Sequence, residues 1–167
     1  MSQLFRAAQP SEMAAIYMMG YDAWGDGEAV ASYLDRCRRS PKYQKGCWYV
    51  LDIDQQPVSS LLVHDFQDWG GLPARGIGSI ATNPDNRRKG HGHRIVELAI
   101  DALSMEEQVR IFILYSDINP RFYENMGFVV APQRYQKTSG STLMFKTLSE
   151  FDKALIEENK HRIPSYF

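Results

Sequence analysis

A chain of 167 residues with 44% hydrophobic composition is long enough to bury a sizeable core and too short for two ordinary domains, so one globular domain is expected. Its 19 basic and 20 acidic side chains leave a formal charge of −1, which sets up no long-range attraction to nucleic acid or an anionic membrane. No apolar run approaches the ~20 residues that cross a bilayer, no charged-then-apolar leader opens the chain, and Cys37 and Cys47 form neither a disulfide framework nor a zinc motif; a cytoplasmic protein with two buried thiols is expected.

Leu4 to Ala8 reads as a first strand. Pro10-Ser11 opens a helix with Met13, Ile16 and Tyr17 on one face, and Val30, Tyr33, Leu34 and Cys37 mark a second helix after a glycine-rich break. Cys47 to Ile53 and Val58 to His64 read as an antiparallel hairpin joined through Asp54-Gln55-Gln56-Pro57. A strand near Gly76 to Thr82 precedes a helix over Gly90 to Met105, whose buried stripe is Ile95, Leu98, Ala99, Ala102 and Leu103. Val109 to Tyr115 is almost continuously apolar, as in a strand covered on both faces, and this strand, helix, strand order favours parallel pairing. Strands at Phe128 to Ala131 and Ser141 to Thr147 follow, separated by a polar loop from Gln133 to Gly140. A last helix turns Phe151, Leu155 and Ile156 inward and leads to Ile163-Pro164-Ser165-Tyr166-Phe167.

Two motifs carry chemistry. Thr82-Asn-Pro-Asp-Asn-Arg87-Arg88-Lys89-Gly90-His91-Gly92-His93 lies between a strand and a helix N-terminus. Its glycines let backbone N–H groups approach phosphate oxygens, the helix start adds partial positive charge, and Arg87, Arg88 and Lys89 add formal charge. The plain alternative is a basic, solvated turn. Some thirty residues on, Asn119-Pro120-Arg121-Phe122-Tyr123-Glu124-Asn125-Met126-Gly127-Phe128 reads as a short helix capped by Asn119, opened by Pro120 and stopped by a left-handed Gly127. No Gly-Lys-Ser/Thr follows the glycine loop, which argues against a nucleotide triphosphate, and His91 and His93 have no further metal ligands nearby, so no metal is expected.

Together the glycine loop and the Tyr-x-x-x-Gly-Phe run resemble the GNAT superfamily of acyl-CoA-dependent N-acetyltransferases. The resemblance implies an α/β (mixed α+β) fold: a single domain over residues 1–147, with a central mixed, mostly antiparallel sheet of about six to seven strands flanked by about four helices. A parallel strand pair is expected around the acetyl-CoA site. Residues 148–167 would be a helical extension packed on the same domain, capping it or contacting a second copy in a homodimer. Carried over by position, Arg87, Arg88, Lys89, Gly90, His91, Gly92 and His93 hold the coenzyme pyrophosphate, Ile80, Ala81 and Thr82 pair with the pantetheine arm, Asn119 joins the coenzyme set, and Tyr123 protonates the departing thiolate. Asn86 stands where the family often has an aromatic residue, and Ser116 where it often has asparagine. The basic cluster Arg36, Arg38, Arg39, Lys42 and Lys45 reads as a solvated helix end, with a basic lip near the coenzyme ribose phosphate as the alternative.

Acyl transfer from a thioester to an amine needs an unprotonated nucleophile, donors for the developing oxyanion and an acid for the thiolate. A bulge near Ile80 to Thr82 would free backbone donors. The strand ahead of the loop lacks a carboxylate or histidine, so His64 and Asp65 are the candidate base, acting through water. Acidic residues mixed with tryptophan suit a cationic amine, giving Asp22, Trp24, Asp26, Glu28, Asp68 and Trp69 as candidate acceptor contacts. The expected activity is transfer of acetyl from acetyl-CoA to a small amine, an amino acid or a protein amino group. The alternative is a non-catalytic acyl-CoA-binding or regulatory module.

Overall fold

The computed structural model describes residues 2–167, the side chain of Phe151 excepted, so the inward placement expected for that side chain lies outside the described residues. Seven strands form one sheet: β1 (Gln3–Ala7), β2 (Cys47–Ile53), β3 (Gln56–Trp69), β4 (Leu72–Thr82), β5 (Ile111–Ser116), β6 (Val129–Val130) and β7 (Thr142–Thr147), in the order β1-β2-β3-β4-β5-β7-β6. Pairing is antiparallel for β1–β2, β2–β3, β5–β7 and β6–β7 and parallel for β4–β5, as expected for the mixed fold. The helices are α1 (Met13–Met18), α2 (Tyr21–Trp24), α3 (Val30–Arg39), α4 (Pro41–Lys45), α5 (His91–Glu106), α6 (Arg121–Glu124) and α7 (Glu150–Glu158). No helix among the described residues is long and apolar enough to cross a membrane. Contacts group the chain into two compact units, Met1–His64 with Ser79–Ala99 and Asp65–Gly78 with Ile100–Phe167.

In the first unit, Arg6 of β1 ties the start of the chain together. Its guanidinium reaches Glu12 at 2.6 Å and Asp52 of β2 at 2.5 Å, and Glu12 also accepts from the Gln9 backbone, closing a capping box ahead of α1. Helix α1 then buries Ile16 against Trp48, Val50 and Leu62. Tyr33 and Cys37 are the buried face of α3, while Val30, one turn earlier, is exposed. Ser40 caps α4 and Pro41 opens it, a helix start in a stretch that carries no apolar periodicity. Cys47 is exposed rather than buried, because as the first residue of β2 it faces outward while Trp48 faces the core. The β2–β3 turn is tighter than expected, with only Asp54 (φ 52°) and Gln55 (φ 68°) between the strands.

In the second unit, Trp69, Ala74, Ile111, Ile113, Leu143 and Phe145 build the core that Leu155, Ile156 and Ile163 cover. All six residues of β5 are buried, as its sequence implies. Strands β3 and β4 are both longer than their apolar runs, and Gly70 and Gly71, both at positive φ, turn the chain between them. Gln67 is left-handed (φ 62°) inside β3. That breaks the two-residue alternation, so Phe66 and Trp69, three apart, reach the same core. The run from Asp65 to Trp69 is therefore strand, and only the two glycines that follow form the turn.

Candidate functional site

The glycine loop is held from its strand side. Ser59, fully buried in β3, donates to the Ala81 carbonyl at 2.8 Å and lies 3.0 Å from the Thr82 hydroxyl, and the Asn83 N–H donates to the Val58 carbonyl at 2.9 Å. Asn83 then caps a 3-10 turn over Pro84–Asn86. Nothing local in the sequence marks Ser59, because its partners lie 22 and 23 residues away.

Arg87 is engaged within the protein. Its guanidinium grips Asp22 at 2.5 and 2.8 Å and donates to the carbonyls of Met19 at 3.1 Å and Thr82 at 3.0 Å. Each partner raises the affinity of the other for its charged form, lowering the Asp22 pKa and raising that of Arg87. The pair ties the loop to α2, and the Met19 contact ties it to the segment just before α2, so the two charges expected to meet the coenzyme and the acceptor face each other. Arg88 and Lys89 are both exposed; Lys89 reaches the Asp85 carbonyl at 3.3 Å, and Arg88 has no side-chain partner among the described residues.

Arg88 (φ 61°) and Gly90 (φ 81°) both adopt left-handed conformations, which curl the backbone just ahead of α5. The first helical bond runs from the Arg94 N–H to the Gly90 carbonyl at 2.9 Å. The opening N–H groups of an α-helix have no partner within it, and the helix dipole places about half a positive charge at this end of α5. This combination of curled backbone, open helix N-terminus and two exposed cations fits a pyrophosphate.

Upstream of the loop, the parallel register of β4 with β5 covers Ala74–Gly76, and Ser79 then takes φ 48°. This irregularity lies beside Ile80, where a bulge was expected, and such a residue turns backbone donors out of regular pairing. Tyr43 of α4 shares a hydrogen bond with Ser79, although burial, the larger effect, raises its pKa. Tyr43 also lines a cavity of about 690 Å³ with Glu28, Asp35, Arg36 and Cys37. Of the other acceptor candidates in this unit, Glu28 pairs with Arg36 at 3.0 Å, Trp24 is half-buried over Gly20, and Asp26 is exposed.

His64 and Asp65 are neighbours on one strand with opposite surroundings, the first buried and the second exposed. Burial, helped by the charge of Lys42, pushes the His64 pKa down to about 4, so the imidazole is neutral at pH 7. Asp65 pairs with Arg75 at 3.0 Å. Asp68 is exposed, whereas Trp69 is completely buried in the core and offers no ring face to a cation.

Tyr123 lies in α6, buried, with its ring edge-on to Phe122 at 4.9 Å and Phe128 at 6.0 Å. Burial, then the negative charge of Asp117, raises its pKa, so the phenol stays protonated at neutral pH. Asn119 accepts from the Arg121 N–H at 3.0 Å, and α6 begins one residue later than expected, with Pro120 and not Asn119 at its N-cap. Gly127 is left-handed at φ 84°. Ser116 is buried and donates to the Ile118 carbonyl at 2.9 Å.

The sequence model of the acetyltransferase (GNAT) domain matches residues 5–131. The chain has no significant match among curated proteins. Among solved structures, it is similar to a conserved protein of unknown function from Enterococcus faecalis V583 described as a probable N-acyltransferase, with TM-score 0.61, 21% identity and coverage of 77% of this chain but only 32% of that one. It is also similar to the ribosomal-protein-S18-alanine N-acetyltransferase from Escherichia coli, with TM-score 0.64, 18% identity and coverage of 89% and 95%. The PaiA N-acetyltransferase from Thermoplasma acidophilum, in complex with coenzyme A, gives TM-score 0.64, 12% identity and coverage of 88% and 99%. At these identities the likeness is one of fold. With a family match spanning most of its length, on a mixed sheet that contains the parallel β4–β5 pair, the chain belongs to the GNAT acetyltransferase family.

Proposed function

We propose that this protein is an N-acetyltransferase that moves the acetyl group of acetyl-CoA to a primary amine, by direct attack with both substrates bound. The observation that carries this reading is the curled Arg88–Gly90 backbone leading into the N-terminus of a 16-residue helix. Arg88, Lys89 and the N–H groups of Gly90 to His93 are the proposed pyrophosphate ligands, and the backbone of Ile80, Ala81 and Thr82 the pantetheine contact. The Thermoplasma relative's complex with coenzyme A supports this choice of cosubstrate.

Acetyl-CoA supplies an activated carbonyl. The amine nitrogen bonds to that carbon, the carbon–sulfur bond breaks, and the thiolate leaves. Tyr123 is the proposed acid: a phenol with a raised pKa stays protonated and hydrogen-bonds to sulfur as charge builds, while a thiol near pKa ~8.5 needs only modest help to leave. The Ile80 to Thr82 backbone donors are proposed to face the carbonyl oxygen as it gains charge. His64 is too weakly basic and Asp65 is held by Arg75, so the amine is proposed to bind as the free base and release its proton to water. Asp26, exposed and close in sequence to Glu28, remains the proposed attraction for a second, cationic group of the acceptor, which is a small amine, an amino acid or a protein amino group.

A thermal shift with acetyl-CoA, CoA and ATP, each near 100 times a plausible dissociation constant, tests the reading, since saturation at that level adds ~2.7 kcal/mol. A shift with both coenzymes and not with ATP is expected, followed by amine-dependent thiol release. A protein that binds coenzyme yet releases no thiol with any amine would be a binding module instead. No coenzyme shift would sink both.

A further inference from the structure

Gly127, the glycine of the Tyr-x-x-x-Gly-Phe run, is fixed from two directions. Its φ of 84° is one that side chains rarely adopt. In addition, a Cβ there would lie 2.5 Å from Nζ of Lys146, which reaches in from β7. That ammonium donates to the Met126 carbonyl at 2.8 Å, so the strand and the turn after α6 are joined across 20 residues of sequence. Lys146 stands opposite Phe112 in the β5–β7 register, and Val129 and Val130 pair with Phe145 and Met144 of the same strand. The chain therefore leaves α6, passes the Lys146 ammonium and enters the sheet beside the strand that carries it.

The turn matters because Tyr123 hangs from it. Helix α6 has only four residues, too few to hold a helical shape without support from the rest of the fold. The Tyr123 carbonyl accepts from the N–H groups of Met126 at 2.9 Å and Phe128 at 3.2 Å, and the Glu124 carbonyl accepts from Gly127 at 2.9 Å. The Met126 carbonyl lies past the end of the helix, where no helical donor follows, and Lys146 satisfies it. The ring of Phe128, next after Gly127, packs edge-on to the Tyr123 ring at 6.0 Å. A shift of the Met126–Gly127 peptide thus moves both a backbone anchor and a ring neighbour of the phenol.

On the acetyltransferase reading, on which this inference rests, the phenol has to meet sulfur at hydrogen-bond distance, and small displacements of such a group cost rate steeply. We propose that Lys146 is a positioning residue for Tyr123: its ammonium fixes the Met126–Gly127 turn and thereby the placement of the phenol. A lysine that served only to tie β7 to its neighbours would matter equally whether or not residue 123 carries a hydroxyl, and this separates the two roles.

The test is a double-mutant cycle of Lys146→Met and Tyr123→Phe. It is read by thiol release from acetyl-CoA with the fastest acceptor among alkyl amines, free amino acids and a peptide with a free N-terminus, and the acetyl-CoA thermal shift is recorded for each variant. Lys146→Met keeps the stem and removes the donor; it should lower kcat by about tenfold or more, with the coenzyme shift retained and KM for acetyl-CoA within about twofold. Lys146→Arg, which keeps a charged donor, should recover most of the rate. In the Tyr123→Phe background Lys146→Met should cost at most about twofold, because the group it positions has gone. Lys146→Gln, with a shorter and uncharged donor, carries the same comparison if Lys146→Met does not fold. An equal fall in both backgrounds, or no fall in either, would overturn the positioning role while leaving the acetyltransferase reading intact. Coenzyme binding without thiol release by the wild-type protein, or no coenzyme shift at all, would overturn that reading and this inference with it.

Discussion

Tyr123 and His64 are both buried titratable residues, yet their environments suit different tasks. Burial and Asp117 favour the neutral phenol of Tyr123, the form that an acid must carry. Tyr123→Phe should lower kcat by about 10²- to 10⁴-fold while acetyl-CoA still raises Tm, measured by thiol release and thermal shift on the same preparation. For His64, the unfolded chain takes a proton below about pH 6.5, whereas the native imidazole resists until about pH 4. Between those values the unfolded state binds more protons, so this residue's share of stability is intact above pH 6.5 and declines as pH falls toward 4. In His64→Gln the difference in Tm between pH 7 and pH 5 should shrink; an unchanged difference would mean that His64 is not the buried neutral group described. At this scale the motif around Tyr123 was readable because the caps of its short helix are local. The Arg87–Asp22 clamp was not, because its partners are 65 residues apart.

The loop between β4 and α5 depends on backbone shape as much as on charge. A Cβ at Gly90 would meet no atom within 4 Å, so the cost of a substitution there comes from its φ of 81° alone. Gly90→Ala should destabilise by ~1 to 2 kcal/mol and weaken acetyl-CoA binding, with calorimetry and denaturation giving the two effects separately. Arg88→Ala should weaken acetyl-CoA binding by about tenfold, ~1.4 kcal/mol, and reduce its salt dependence. Gly90 and the helix start were legible from the glycine spacing and the strand-to-helix change. The length of β3 was not, because the left-handed Gln67 hides the alternation that identifies a strand. Trp69, which looks like a loop aromatic in a linear reading, is a core residue for the same reason.

At the scale of the whole molecule, residues 148–167 are proposed as an integral part of the domain, not a detachable extension. Leu155, Ile156 and Ile163 are all buried in one core, and Asp152, also buried, receives Arg110 at 3.3 Å. Leu155→Ala should cost ~2 to 5 kcal/mol in urea denaturation, a large share of the ~5 to 15 kcal/mol that holds a typical domain. A change below 0.5 kcal/mol would separate the segment from the fold (surface substitutions usually stay within ~0.5).

The sequence by itself determined the order of the strands and of the longer helices, which rest on periodicity, and the glycine loop and short helix of Tyr123, whose residue types lie within a few positions of one another and carry the family resemblance; the short helices α2 and α4 were not legible, because neither has an apolar period. Only the tertiary structure decided which of the charged and aromatic candidates are engaged: Arg87 held by Asp22, Asp65 by Arg75, Trp69 in the core and Phe167 over Gly76 and Gly78. These outcomes depend on contacts between residues distant in the chain, and a side chain can meet a ligand only with donors, charge or surface that such contacts have not already used.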